Sequence, residues 1–147
     1  MQVDEIIEKK YGLGLKNTEI IKIKNEKVRI INKAASQLMS KINFRIKFFG
    51  LYLGKIKRNR KFVFSLFAST LFGKYIRKNI VEINEDELKS WILGKDIEKQ
   101  INNSFEDFVV IKFKDYYLGS GYYKDGRIKN FFPTSKFKQY LNFFSHK

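Results

Sequence analysis

The chain has 147 residues, enough for one ordinary domain or two very small ones. Apolar residues at 44% permit a real core, and 16% aromatic content with a single Pro excludes a disordered chain or a Pro-rich linker. The formal charge of +15, from 30 Lys and Arg against 15 Asp and Glu, points to a polyanionic partner, and nucleic acid is the usual cytosolic polyanion.

In chain order, "VDEIIEKKYG" carries acids first, lysines last and Gly12 behind it, so it predicts a short helix with a glycine C-cap. "EIIKIKNEKVRIIN", Glu19 to Asn32, alternates apolar and charged residues about Asn25-Glu26, the pattern of a half-exposed β-hairpin. "NKAASQLMSKI" places Ala35, Leu38, Met39 and Ile42 at helical spacing, with plain core packing the reading for Met39. "NFRIKFFGLYLGKIKRNRKFVFSLF" predicts strand, turn and strand, with the turn near Arg58-Asn59-Arg60.

"SLFASTLFGKYIRK" predicts an amphipathic helix with Ser65 as N-cap. Phe67, Leu71 and Tyr75 form one row and Ala68, Phe72 and Ile76 the next; Lys74, Arg77 and Lys78 fall at the C-terminal end, where cations suit the helix dipole. "NIVEINED" and "ELKSWILGKDI" read as a strand, an acidic turn and another strand, with Trp91 filling core. "EDFVVIKFKDYYLGSGYYKDGRIKNFF" reads as β structure with turns at Lys114-Asp115 and Asp125-Gly126. Gly119 and Gly121 predict a bulge or sharp coil within it. Pro133, with Thr134 or Ser135 as N-cap, opens a last helix whose stripe is Phe137, Tyr140, Leu141 and Phe144. The fold class expected is α+β with mixed or antiparallel sheets, with a seam between two small units at Gly50–Gly54.

Little of this chain suits catalysis. It has no cysteine, and its one histidine, His146, lies in the C-terminal tail, so thiolate metal sites and a Ser-His triad lack raw material. Gly12-Leu13-Gly14 lacks the remaining glycines and the lysine of a phosphate loop, and Gly119-Ser120-Gly121 does not open a helix. Carboxylate pairs could come only from Glu82, Glu85, Asp86 and Glu87, from Asp96 and Glu98, or from Glu106 and Asp107. All fall at turns or helix starts, where acids are ordinary solvated groups. No metal or cofactor is expected. The N-terminus has early acids and no apolar stretch, and the run Phe62 to Gly73 is too short to span a membrane, so a cytoplasmic monomer is expected.

The basic residues carry the stronger signal. From Lys27 through Val81 there is no acid at all. "GKIKRNRKF" gathers Lys55, Lys57, Arg58, Arg60 and Lys61 around one turn, and Arg127, Lys129, Lys136 and Lys138 follow among Tyr122, Tyr123, Phe131 and Phe132. Lys and Arg neutralise phosphates and exposed aromatics stack unpaired bases, so these nine cations, with Lys74, Arg77 and Lys78, are the candidate RNA-binding residues.

"GLYLGKIKRNRKFVFSLFASTL", "LKSWILGKDIEKQ" and "FVVIKFKDYYLGSGYYKDGRIKN" together resemble the PUA domain, a small β-barrel-like RNA-binding fold. With the preceding "IKIKNEKVRIINKAASQLMSKINFRIKFF", the chain from about Ile21 to Asn130 resembles the pre-PUA and PUA domains of the Nip-seven family. The resemblance implies a small α/β pre-PUA domain at 1–50 and a PUA domain with a C-terminal helix at 51–147. It implies a non-catalytic factor that binds precursor rRNA in processing and large-subunit ribosome assembly, among assembly proteins, nucleolar if eukaryotic. It also points to Lys129, Lys136 and Lys138, with Arg127 nearby, because family members bind RNA near the end of the PUA domain. The N-terminal unit is short for the family, and "FFPTSKFKQYLNFF" is more similar to PUA domains attached to RNA cytosine methyltransferases. The alternative is therefore a stand-alone PUA module that targets a methyltransferase or pseudouridine synthase to its RNA. A third reading is a metal-dependent nuclease using the acids at 82–87.

Overall fold

A computed structural model describes residues 2–15, 18–22, 26–34, 37, 50–101 and 104–145. The helix expected about Leu38 and Met39, the strand expected over 43–49 and His146 lie outside the described residues.

Helix α1 (Val3–Tyr11) ends where Gly12 adopts φ 69° and its N–H returns to the Glu8 carbonyl, as the glycine cap requires. Four strands follow: β1 (Thr18–Lys22), β2 (Lys27–Asn32), β3 (Leu51–Lys57) and β4 (Lys61–Phe64). They form one antiparallel sheet in the order β1-β2-β3-β4. The β3–β4 turn is a single 3-10 turn over Arg58–Arg60, with Arg60 left-handed at φ 57°. The seam expected at Gly50–Gly54 thus falls inside this first sheet, because β3 pairs with β2 across it. Which sheet a hairpin joins depends on a remote edge, and nothing in the hairpin's own alternation encodes that edge.

Ser65 caps helix α2 (Leu66–Phe72), accepting from the Ala68 N–H. The helix is shorter than its apolar rows imply: a 3-10 turn over Gly73–Tyr75 replaces its last turn. Only glycine fits at Gly73, since a Cβ there would lie 2.1 Å from the Tyr117 ring. Lys74, Arg77 and Lys78 therefore fall beyond the helix.

The second sheet is built from β5 (Ile80–Glu82), β6 (Ile97–Glu98), β7 (Asp107–Phe113), β8 (Tyr116–Lys124) and β9 (Arg127–Asn130), ordered β5-β7-β8-β9-β6. The β5–β7 pair is parallel and the others are antiparallel. Between β5 and β6 the expected second strand is instead a helix, α3 (Glu85–Ile92). Asn84 and Glu87 form a reciprocal capping box, and Leu88, Trp91 and Ile92 are its buried face. The acids read as a turn are the first turn of this helix, where they suit the dipole. Trp91 does fill core, as expected, and its Nε1 donates to the Leu118 carbonyl at 2.7 Å.

The glycines of β8 curl this sheet. Val110 faces Ser120 but Lys112 faces Tyr117, so β8 carries one extra residue at a bulge, with Gly119 at φ 78°. At Gly121 a Cβ would lie 2.4 Å from Ile128 Cγ2 and 2.8 Å from Trp91 Cη2. Asp125-Gly126, at φ 48° and 76°, makes the two-residue turn between Lys124 and Arg127 that its sequence announces.

The second sheet lies between two cores. On one face Val110 joins Ile7, Tyr11, Leu53, Phe62 and Phe64 from α1 and the first sheet. On the other, Val109, Ile111, Tyr123 and Ile128 pack with α3 and Phe132, and helix α4 (Phe137–Ser145) covers them through Phe137, Tyr140 and Phe144. Among the described residues no helix is long and apolar enough to cross a membrane.

Tyr11 ties the layers together. Its buried hydroxyl lies 2.7 Å from the Phe62 carbonyl and 3.3 Å from that of Phe108, and the neighbouring Lys10 pairs with Asp107. Burial first, then the Asp107 charge, pushes the Tyr11 phenol well above the usual tyrosine range. A raised folded-state pKa contributes stability below the ordinary value of about 10, lost as pH climbs above it by about 1.4 kcal/mol per pH unit. Tyr11→Phe is thus expected to cost about 1 kcal/mol at neutral pH and to flatten the alkaline loss of stability, measured by urea denaturation from pH 7 to 11.

Candidate nucleic-acid interface

The basic clusters that the sequence presents as separate meet in part. The β3–β4 turn of the first sheet projects Lys57, Arg58 and Lys61 toward β8 and β9 of the second. There a recess of about 440 Å³ is walled by Phe108, Tyr122 and Phe131. Tyr122 faces Phe108 across the β7–β8 pair and Lys129 across the β8–β9 pair, so strand register sets both neighbours. The Phe108 ring meets Tyr122 at 4.9 Å and Phe131 at 5.4 Å, both edge-to-face.

Each cation is held differently. Lys61 is half-buried; its ammonium donates to the Tyr122 hydroxyl and to the Glu106 carbonyl at 3.2 Å, and sits 4.9 Å from the Tyr122 ring centroid. The bond to Tyr122 raises the Lys61 pKa, outweighing partial desolvation, so the group stays charged. Lys129 Nζ lies 5.9 Å from the Phe131 ring centroid, and Phe131 is 40% exposed. Arg58 is exposed on the turn, and Lys55 lies two residues before Lys57 in β3. One acid, Glu26 at the end of the β1–β2 hairpin, lines the recess; among the described residues none forms an ion pair with it. The arrangement offers aromatic surface ringed by positive charge, which suits a phosphodiester chain with accessible bases.

The other candidates lie elsewhere. The guanidinium of Arg127 is engaged by Asp96, at 3.1 Å through Nε and 3.0 Å through a terminal nitrogen. The other Asp96 oxygen accepts from the Asn130 N–H at 2.9 Å, so the pair anchors the last hairpin. Arg77 and Lys78 lie at the end of α1, while Lys74 lines a separate shallow recess with Phe67, Leu71, Asp115 and Tyr117. The backbone N–H groups of Arg77 and Lys78 donate to the Tyr11 carbonyl at 2.7 and 3.1 Å, and Lys78 Nζ reaches the Lys9 carbonyl at 3.4 Å. Lys136 and Lys138 are exposed on the 3-10 turn and first turn that open α4. Arg60 occupies the left-handed position of the β3–β4 turn. Of the aromatics expected beside the cations, Tyr122 and Phe131 line the recess, whereas Tyr123 and Phe132 are core. Sequence reasoning passed over Phe108, the central ring. It sits in a run of buried residues, and its register with Tyr122 is the only signal of where it points.

Two of the four acids at 82–87 have structural partners. Glu87 caps α3 and pairs with Lys99 at 3.0 Å, and Glu82 pairs with Lys112 at 3.8 Å. Among the described residues no three His, Cys, Asp or Glu side chains group to hold a metal.

Residues 2–66 match the family described as NIP7/UPF0113, pre-PUA domain, and residues 78–135 match the one described as Methyltransferase RsmF PUA domain. The fold, with its curled second sheet, and these matches define the class: a pre-PUA domain followed by a PUA domain, in the PUA-domain superfamily of RNA-binding modules. The order and pairing of the two units are those of the Nip-seven-like architecture that the sequence resembles. The stretch 50–66, likened above to the start of the PUA unit, falls within the pre-PUA match and in the first sheet. No curated protein matches the chain.

Proposed function

We propose that this chain is a non-catalytic RNA-binding factor that engages precursor rRNA during processing and large-subunit assembly. It would act as a monomer in the cytoplasm, or in the nucleolus of a eukaryotic cell, among ribosome assembly proteins. The observation that carries this reading is the recess where Lys57, Arg58 and Lys61 of one unit meet Tyr122 and Phe131 of the other, with Lys129 over the Phe131 ring. Lys55 and Arg60 extend that positive face, and Lys74, Arg77, Lys78, Arg127, Lys136 and Lys138 add to the field that draws RNA in. We place the passage between the units after Phe64 and before Ile80, where one sheet ends and the next begins. If about six to ten phosphates are neutralised, affinity for RNA should fall by about 10³–10⁵ between roughly 50 and 200 mM salt. A nearly flat response in a fluorescence-anisotropy titration would refute the reading.

The match of residues 78–135 to a methyltransferase PUA domain favours one second reading, a stand-alone module that presents RNA to a separate modification enzyme. Affinity purification decides between the two: pre-ribosomal particles for the first, a methyltransferase or pseudouridine synthase for the second.

A further inference from the structure

We infer that the recess between the two units is a pocket for a single unpaired nucleotide, its base stacked on Phe131 and its phosphate held by Lys57 and Arg58. This deepens the RNA-binding reading and rests on it.

Phosphate contacts alone would need no aromatic wall. The face presents one all the same, and Phe131 leaves 40% of itself in solvent at the end of β9. Its neighbour Phe108 is buried and packs against it at an interplanar angle of 71°, which fixes the ring while the flexible Lys129 side chain is the cation over it. Tyr122 is less accessible: it is half-buried between Phe108 and Lys61, and its hydroxyl accepts from the Lys61 ammonium. Phe131 is thus the ring available for stacking, and Lys129 beside it lies within reach of the next phosphate.

The concavity selects the state of the RNA. Bases inside a duplex have both faces covered by their neighbours, so only an unpaired or splayed base can present a face to Phe131. Glu26 sharpens the geometry. As the one acid in the lining it repels phosphate from the hairpin end, leaving the Lys57–Arg58 side for the backbone.

The test compares full-length protein and its variants on an eight-nucleotide single-stranded RNA and on a duplex of the same length. Phe131→Ala should weaken single-strand binding by about 5- to 150-fold, the range for losing one stacked base, and leave duplex binding and the salt dependence unchanged. Phe131→Tyr, which keeps the ring, should bind like the parent. Because Phe131 also packs on Phe108, a measurement on the unaltered protein stands beside the variants: a 2-aminopurine placed in the single strand should change its fluorescence on binding, and the same base in the duplex should not. Salt-dependent RNA binding with no loss in Phe131→Ala and no 2-aminopurine response overturns the pocket while sparing the RNA-binding reading. Absence of salt-dependent binding to either RNA overturns both.

Discussion

Replacing Trp91 with alanine is expected to remove about 3–5 kcal/mol of stability, the usual cost of truncating a fully buried tryptophan. The residue has no exposed surface, and its ring occupies the space that the missing side chain of Gly121 leaves above β8. Its Nε1 holds the Leu118 carbonyl, next to the bulge at Gly119. Truncation would open a cavity and at the same time strand a buried acceptor. An ordinary domain has about 5–15 kcal/mol in hand, so much of the margin would go. Thermal denaturation should show a midpoint lower by roughly 6–20 °C, taking about 2–4 °C per kcal/mol for a chain of this size. Trp91→Phe, which fills part of the volume, should lose less. A Trp91→Ala midpoint within a few degrees of the parent would mean that α3 does not anchor the second sheet in this way.

The second large effect concerns RNA. Combined replacement of Lys57, Arg58 and Lys129 by alanine should reduce the slope of log affinity against log salt by about 2–3, near 0.9 for each phosphate contact on a duplex and somewhat less on a single strand. At 0.1 M salt this corresponds to a loss of about 10²–10³-fold. The matched control is replacement of Lys74, Arg77 and Lys78. Arg77 and Lys78 close the end of α1 through backbone N–H groups, so truncating their side chains leaves those hydrogen bonds in place. If the control triple carried the larger loss, the interface would lie along the segment that follows α2 and the recess would be a bystander. Lys61 is left out of the first triple because it also holds Tyr122 and the Glu106 carbonyl, and its removal would disturb packing along with charge.

Features whose cause lies within a few residues could be read directly along the chain. Asp125-Gly126 makes its turn because both positions tolerate positive φ, Ser65 caps its helix through a local hydroxyl, and Gly12 ends α1 as a left-handed cap. The basic, acid-poor surface was equally legible, since charge needs no fold to be counted. The architecture was legible by likeness to known domains, and the family matches agree with it. The acidic stretch before Trp91 was misread locally: Asn84-x-x-Glu87 is a capping box, but a run of acids also fits a turn until Leu88, Trp91 and Ile92 are seen to share one buried face. Whatever depends on distant pairing was set by how the two sheets pack. The β3–β4 hairpin joined the first sheet because the edge of β2 was there to receive it, and alternation within the hairpin is the same whichever edge it meets. The same placement brought Lys57 and Arg58 to Phe131, more than seventy residues along the chain, and turned Arg127 aside to Asp96. Side chains on the surface carry no local signal of their neighbours, so the sequence could enumerate the cations while the packing of two sheets chose which of them share a site.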